Sequence, residues 1–244
     1  MIRIWILLFW LAGCTATPSP APAPRPDEPT TLNRASIMEG NLAGLNLSLT
    51  PFSHLGGSVS PVRAELLAAE QRYLPYLLKT TLTESGFWGA VRVTPGVDVT
   101  AEINCQGQLL AASAAELQLQ LICRDALGEL WLDDRFDTRV ARDAYSQAAF
   151  SGPDPYRPIM IRIANRLADA LALLTDQDRR RLGDAALLRY AQTLSPEGFD
   201  GYLAVNPEGL MQVQGLPASS DPMVARVQRI RDSEYQFIDA MDEQ

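Results

Sequence analysis

The chain has 244 residues, of which 47% are hydrophobic and 20% are charged. This composition is typical of a globular protein and excludes wholesale disorder. The formal net charge of −8 argues against a general surface for nucleic acid or anionic lipid, because both require an excess of Lys and Arg. We therefore expect no nucleic-acid partner.

Residues 1–14 have the pattern of a bacterial secretion signal. Arg3 precedes nine apolar residues, a run too short to span a bilayer as a helix but typical of a signal-peptide core. The motif LAGC ending at Cys14 resembles the lipobox of bacterial lipoproteins. This resemblance implies that residues 1–13 are a cleaved signal peptide and that Cys14 carries acyl chains that anchor the protein to a membrane. A non-lipidated signal peptide and a membrane-buried anchor are the alternatives.

Residues 14–41 are predicted to be a lipidated cysteine followed by a proline-rich tether. Six prolines lie between Pro18 and Pro29, and such a segment favours extended polyproline II over a packed core. A proline-rich ligand for a partner is the alternative interpretation. Thr15, in place of Asp, resembles the pattern of lipoproteins sent to the outer membrane, which implies an anchor there with the protein on the periplasmic face.

The first predicted strand and helix follow the tether. Leu42 to Phe52 alternates apolar and polar residues, which indicates a strand. Ser60 and Pro61 are typical N-terminal residues of a helix, and apolar residues recur at helical spacing from there to Ser85. Because Pro75 lies inside this helix, we expect a kink or a restart near it.

The segment from Gly89 to Val140 predicts four consecutive strands joined by short turns. A period of two supports the second and third strands, because it is typical of an antiparallel sheet with one buried and one wet face. The residues predicted to face inward are Val97, Val99, Ala101, Ile103 and Cys105 in one strand, and Ala115, Leu117, Leu119, Leu121 and Cys123 in the next.

A second long helix is predicted to start near Asp154 and to reach Leu174. The order of strands and helices predicts an α+β fold: a two-layer domain with a mostly antiparallel sheet of four to five strands and two long helices on one face. This domain is predicted to occupy residues 42–175, and residues 176–244 to form a helical C-terminal extension.

Three segments of this domain resemble known envelope proteins. They are LTPF (Leu49–Phe52), LTESGFWGAVRV (Leu82–Val93) and WLDDRF (Trp131–Phe136). The architecture around them is similar to the N-terminal domain of the Tol-system propeller protein, the curli-secretion lipoproteins and the lipopolysaccharide-assembly lipoprotein. The resemblance implies an assembly or transport component without enzymatic activity.

Two cysteines remain after Cys14. Cys105 and Cys123 are predicted to face inward at opposite positions of neighbouring strands, where a disulfide would suit an oxidising periplasm. Two buried free thiols are the alternative. With a single histidine, His54, and no CxxC spacing, we expect no zinc or other metal, and we expect no cofactor.

Catalytic patterns are weak throughout the chain. His54 lies in a loop without a GxSxG elbow or a partner acid at a motif spacing. Asp133 and Asp134 are adjacent on a predicted strand and therefore point to opposite faces, so they cannot act as a carboxylate pair. We expect a protein that is not an enzyme.

The C-terminal extension contains two predicted helices. Asp176 is the expected N-cap of the first, and Asp221-Pro222 opens the second. The second helix carries an apolar seam that is predicted to bind a partner helix, to mediate self-association or to dock on its own domain. Its residues are Met223, Val227, Ile230, Phe237 and Met241.

These observations favour a lipid-anchored accessory or assembly component of an envelope complex, which binds another envelope protein or further copies of itself. A binding module for a lipid, a glycan or peptidoglycan is the second hypothesis.

Overall fold

The computed structural model describes residues 31–36, 44–54, 61–113, 116–139, 154–218 and 220–242. The predicted signal peptide, Cys14 and most of the tether fall in residues 1–30, outside the described residues. The strands are β1 (Leu47–Leu49), β2 (Ser53–His54), β3 (Val91–Val93), β4 (Ile103–Ser113), β5 (Glu116–Asp125), β6 (Leu130–Arg139), β7 (Leu203–Val205) and β8 (Met211–Val213). The helices are α1 (Pro61–Ser85), α2 (Arg157–Ala172), α3 (Asp176–Leu194) and α4 (Pro222–Asp242).

The α+β fold class is confirmed, with a mixed sheet in which β2 lies beside β4 and the other strands follow the order β3-β1-β4-β5-β6. Strands β4, β5 and β6 form an antiparallel meander, whereas β1 runs parallel to both β3 and β4. The β1–β3 pair is parallel because α1 lies between the two strands and returns the chain to the end where β1 began. The small hairpin β7–β8 is separate from this sheet.

One face of the sheet carries the main apolar core. Every second residue of β5 from Leu117 to Cys123 is buried, as the alternation predicts. Helices α1 and α2 lie on this face, because Leu78 of α1 and Ile163 of α2 are fully buried in the same cluster as the inward residues of β5. The predicted pair of long helices on one face is therefore confirmed.

The predicted strand from Val97 to Cys105 is wrong in its first half, since β4 starts only at Ile103. Asp98 instead organises a turn: its carboxylate accepts hydrogen bonds from the backbone N–H and the hydroxyl of Thr100, at 2.8 and 2.5 Å. The Asn104 side chain closes the turn by accepting from the N–H of Asp98 and donating to its carbonyl. Local side-chain hydrogen bonds therefore replace the strand that the alternation predicted.

The N-cap of helix α3 is one residue earlier in the chain than predicted. Thr175, and not Asp176, is the N-cap, and it exchanges hydrogen bonds with Asp178 in a capping box. Leu182, Ala185 and Ala186 of α3 are buried in the main core, so this helix packs on the α+β domain.

Helix α1 is continuous from Pro61 to Ser85 with Pro75 inside it, so the predicted restart does not occur. Because proline has no N–H, the carbonyl of Gln71 lacks its partner within the helix. The backbone N–H of Phe52 donates to that carbonyl at 2.8 Å. The missing helical hydrogen bond thus becomes a contact between α1 and the segment that joins β1 to β2.

The ring of Phe52 is buried over Gly107 of β4. A Cβ atom at position 107 would lie 2.3 Å from the ring, which no close-packed contact allows. Gly107 is therefore required by the close approach of the Phe52 ring.

We expect Gly107→Ala to lower the free energy of unfolding by about 1–3 kcal/mol, because the added methyl group overpacks the core beneath Phe52. Gly183→Ala in α3 is the matched control, since its Cβ would meet no atom within 4 Å. The control should raise stability by up to about 1 kcal/mol through helix propensity. Chemical denaturation measures both changes, and equal effects at the two positions would contradict the packing account.

Candidate functional site

Helix α4 is held to the sheet by an ion pair. Both terminal oxygens of Asp239 accept hydrogen bonds from the guanidinium of Arg92, each at 2.7 Å. The Arg92 side chain is only 7% exposed, whereas that of Asp239 is 50% exposed. Arg92 alternates with Val91 and Val93, which belong to the main core, so α4 lies against the opposite face of the sheet.

Tyr235 strengthens the same contact. The guanidinium of Arg92 lies 3.9 Å from the centroid of its ring, and the phenol donates a hydrogen bond of 2.8 Å to the carbonyl of Thr100. Burial is the main reason that the pKa of Tyr235 is raised to about 12. The phenol therefore stays protonated, as a hydrogen-bond donor, at physiological pH.

A buried carboxylate lies beneath this contact. Glu102 accepts a hydrogen bond of 2.8 Å from the backbone N–H of Asn46, and burial raises the pKa of its carboxyl group. The nearby guanidinium of Arg231 opposes that rise. The docked face of α4 is thus lined by charged and aromatic groups.

Val227 is the apolar anchor of α4. It is buried in a second cluster together with Leu188, Tyr190 and Ala191 of α3 and with Phe199. No other side chain of α4 that the structure describes is buried.

Four other apolar residues of α4 are exposed, and we name them the α4 stripe. Phe237 and Met241 are the most exposed, at 68% and 58%. The structure therefore divides the seam predicted from the sequence, because Val227 faces the domain and the other four residues face solvent. The α4 stripe consists of Met223, Ile230, Phe237 and Met241.

The charged residues of α4 lie on different sides of the helix. Arg226 and Arg229 lie in the first half of the helix. Asp232 is the central residue, on the side away from the stripe. Glu234 lies in the second half, where, after burial, it helps to raise the pKa of the Tyr190 phenol. Arg231 and Asp239 face the chain's own domain, where they contact Tyr235 and Arg92. The charge beside the N-terminal part of the α4 stripe is therefore basic.

The structure brings the two predicted disulfide partners together. Cys105 and Cys123 are directly opposite on β4 and β5, their Cα atoms are 4.0 Å apart, and their sulfur atoms are bonded. This is the closer of the two spacings in an antiparallel pair. Both residues are buried in the main core, far along the chain from α4.

The weak catalytic candidates have structural partners. His54 places its Nδ1 3.2 Å from the carbonyl oxygen of Leu109 across the β2–β4 pair. Asp133 accepts from the amide of Gln120, whereas Asp134 pairs with Arg166 of α2. These two carboxylates diverge, as their neighbouring strand positions predict. Within the described residues, His, Cys, Asp and Glu side chains form no group of three or more that could hold a metal ion.

A cavity of about 230 Å³ lies on the sheet face opposite the main core. Its lining includes Gln106 and Arg124 from the sheet, Arg189 from α3 and Met211 from β8. Burial lowers the pKa of Arg189, and the carboxylates of Asp98 and Asp125 oppose this effect.

The residues that dock α4 were not predicted from the sequence. Arg92 stands between two valines in a short strand, and its charge at a strand position was the only signal. Glu102 was predicted to lie on a wet face. Tyr235 and Asp239 carried no motif, because their role depends on Arg92, which is 147 positions from Asp239.

No family model matches the chain, and a search of curated proteins finds no match. Solved structures similar to it include a dodecamer of a PelC variant from Paraburkholderia phytofirmans, 11% identical with a TM-score of 0.35 over 59% of this chain and 96% of that one. Another is protein XCC0632 from Xanthomonas campestris, assigned to DUF330, 12% identical with a TM-score of 0.34 over 62% of this chain and 96% of that one. With identities and TM-scores this low, neither likeness carries a conclusion about what this chain binds.

In the part of the chain that the structure describes, none of the helices combines the length and the apolar character that a membrane crossing needs.

We expect Asp239→Ala to cost more than Arg92→Met, although both remove the same ion pair. Loss of Asp239 leaves a buried guanidinium without its carboxylate, at a cost of about 2–3 kcal/mol. Loss of Arg92 leaves a half-exposed carboxylate that water can solvate, at a cost of about 1 kcal/mol. Hydrogen exchange of the α4 amides measures the difference, and an equal or reversed order would contradict the burial of the Arg92 charge.

Proposed function

We propose that this protein is a lipid-anchored, non-enzymatic component of a bacterial envelope complex, and that it acts by binding protein through the α4 stripe. The observation that carries this proposal is the orientation of α4. A helix of 21 residues is fixed to its domain by polar contacts and by Val227 with Val224 beside it, while four apolar side chains are exposed to solvent. Several large apolar side chains exposed along one face of a helix are typical of protein interfaces.

The proposed anchor rests on the N-terminal sequence. The LAGC motif at Cys14 closes a short basic and apolar leader, and a proline-rich tether follows it. Acyl chains on Cys14 would hold the protein at the outer membrane, with the α+β domain in the periplasm. The buried Cys105–Cys123 disulfide supports an oxidising compartment.

The absence of enzymatic activity is proposed from the geometry of the reactive side chains. His54, Asp133 and Asp134 each contact a structural partner. His54 is in β2, whereas the two aspartates are adjacent in β6 with diverging side chains. An assembly role also accords with the resemblance of the sequence to the Tol-propeller, curli-secretion and lipopolysaccharide-assembly domains, which stays a prediction.

A ligand-binding module is the second candidate function. The cavity beside Arg124 and Arg189 favours it, because two guanidinium groups with apolar neighbours suit an anionic group of a glycan or a lipid. Asp125, which also lines the cavity, offsets part of that positive charge. A glycolipid that copurifies with the wild type and is lost in Arg189→Ala would favour this function over the first.

The anchor is tested by the intact mass of protein extracted from the membranes of its own host, with and without reductant. We expect cleavage before Cys14 with acyl chains attached, and an unreduced mass lower by two hydrogens for the Cys105–Cys123 bond. A mass that retains Met1, or one that is cleaved without lipid, would overturn the lipoprotein assignment.

The assembly role is tested by Phe237→Glu in the full chain. A charge in the middle of the exposed apolar row should release the protein from any stable complex extracted in mild detergent, because a buried unpaired charge is costly. Gln236→Glu is the matched control, since it adds the same charge one residue away on another side of the helix. The mass of the extracted particle is the measurement, and an unchanged mass in Phe237→Glu would contradict the proposal.

A further inference from the structure

We infer that strand β6 pairs edge to edge with β6 of a second copy of this chain, antiparallel and centred on Phe136, so that the two sheets join into one. This contact goes beyond the proposed function, because it uses a surface other than the α4 stripe. It is carried by the position of β6 in the sheet, by the order of its exposed charges and by the residues that β5 places opposite them.

Strand β6 ends the sheet. Among the strands that the structure describes, it pairs with β5 alone, and it is ten residues long. Backbone groups that point away from the last neighbour are those to which a further strand can add. Leu132, Phe136 and Thr138 lie on the side of the core, whereas four charged residues of β6 are exposed on the other face of the sheet. They are Asp133, Arg135, Asp137 and Arg139.

The four exposed charges are self-complementary about Phe136. Arg135 and Asp137 lie one residue to either side of it, and Asp133 and Arg139 lie three residues to either side. When a second β6 runs antiparallel with Phe136 opposite Phe136, each charged side chain lies directly opposite one of the other sign. The pair thus contains Asp133–Arg139 twice and Arg135–Asp137 twice. Because each copy contributes the same strand, the contact closes as a dimer.

The same order of charges disfavours the neighbouring registers. A shift of the partner by two residues keeps both cores on one side of the joined sheet, but it places Arg135 opposite Arg135 or Asp137 opposite Asp137. A parallel pair in register also places like charges side by side. Since like charges directly opposite are unfavourable, the sequence of β6 favours one direction and one register.

Strand β5 does not neutralise most of these charges. It places an uncharged residue opposite three of the four, and an acidic residue, Glu116, opposite Arg139. The amide of Gln120 donates to Asp133. A row of exposed charges normally keeps an edge strand from pairing with another chain. In β6 the row rejects an arbitrary strand but accepts the strand whose charges match, which is β6 itself.

Two side chains of α2 contact β6. Arg166 pairs with Asp134, and the guanidinium of Arg162 donates to the carbonyl of Asp137. Neither arginine is buried. Where the partner strand needs the carbonyl of Asp137, the pair exchanges one side-chain hydrogen bond for a row of backbone hydrogen bonds along β6.

Cysteines introduced into two differently tagged forms of the full chain test the pair. Asp133 of one copy lies opposite Arg139 of the other, so Asp133→Cys in one form and Arg139→Cys in the other can form a disulfide. Either variant alone places its two cysteines six residues apart along the strands, about 20 Å, which a disulfide cannot span. Asp137→Cys with Arg139→Cys is the matched control, because these positions share the exposed face but lie about 14 Å apart in the dimer.

Both forms are coexpressed in the host, the membranes are oxidised mildly, and the linked dimer is separated without reductant. Cys105 and Cys123 are bonded and buried, and the wild type serves as the background for Cys14. We expect about tenfold more linked dimer from Asp133→Cys with Arg139→Cys than from the control or from either variant alone, because pairing raises the effective concentration of the two thiols. Equal yields throughout, or no linked dimer, would overturn the pair, and dimer from each variant alone would indicate a parallel contact and overturn it as well.

Charge reversal tests the order of the charges, at positions whose side chains are exposed. Arg135→Asp in both cysteine forms places acidic residues opposite each other twice, so the yield of linked dimer should fall about tenfold. Arg135→Asp in the Asp133→Cys form, combined with Asp137→Arg in the Arg139→Cys form, restores opposite charges across the dimer, and the yield should return. A yield that the first combination leaves unchanged, or that the second does not restore, would contradict the pairing of β6.

Discussion

The buried guanidinium of Arg92 decides which face of α4 is available to a partner. A charge at 7% exposure requires a carboxylate, and Asp239 supplies it in a two-point contact. In a helix of 3.6 residues per turn, positions four apart share a face, whereas positions two apart differ by about 200°. Once Tyr235 and Asp239 face the sheet, Phe237 must face away from it.

Helix α4 buries its polar face and exposes its apolar face, which is the opposite of an ordinary amphipathic surface helix. A helix on the surface of a domain normally buries its apolar stripe and exposes its charges. Helix α4 instead directs Arg231, Tyr235 and Asp239 inward and leaves Phe237 exposed. Val227 is the one buried apolar side chain among the described residues of α4, with Val224 packed beside it, so fewer apolar contacts hold α4 to the domain than hold α1 and α2. Covering the stripe would stabilise the docked helix as well as the complex.

The sequence predicted best those elements whose pattern depends on one interaction, the burial of one face in a single core. The alternation from Leu117 to Cys123 identified β5, its buried face and the position of the cysteine pair, because one core decides all of them. Alternation before Ile103 failed because Asp98 binds its own neighbours, and a period of two carries no information about such a turn. The parallel direction of β1 was likewise not encoded in the strand itself, since it depends on the intervening helix.

The candidate site was predicted as a set of residues but not as a surface. Helical spacing grouped Val227 with Ile230 and Phe237, because periodicity alone treats every apolar residue of one stripe alike. Val227 is buried while Ile230 and Phe237 are exposed because of contacts distant in sequence. Residues of α3 bury Val227, and Arg92 orients the C-terminal part of α4 through Asp239. Such long-range constraints are not visible in the sequence of α4.

The proposed anchor would compensate for the small contact area of the α4 stripe. Four exposed side chains bury less area than a stable interface in solution needs, so a stripe of this size alone predicts weak association. Acyl chains would confine the protein and a membrane-bound partner to one surface, where their effective concentration is far higher than in bulk solution. The tether, at about 3.1 Å per residue, would leave each domain enough reach to align with a neighbour. Confinement would therefore add to the association free energy that a short apolar seam supplies.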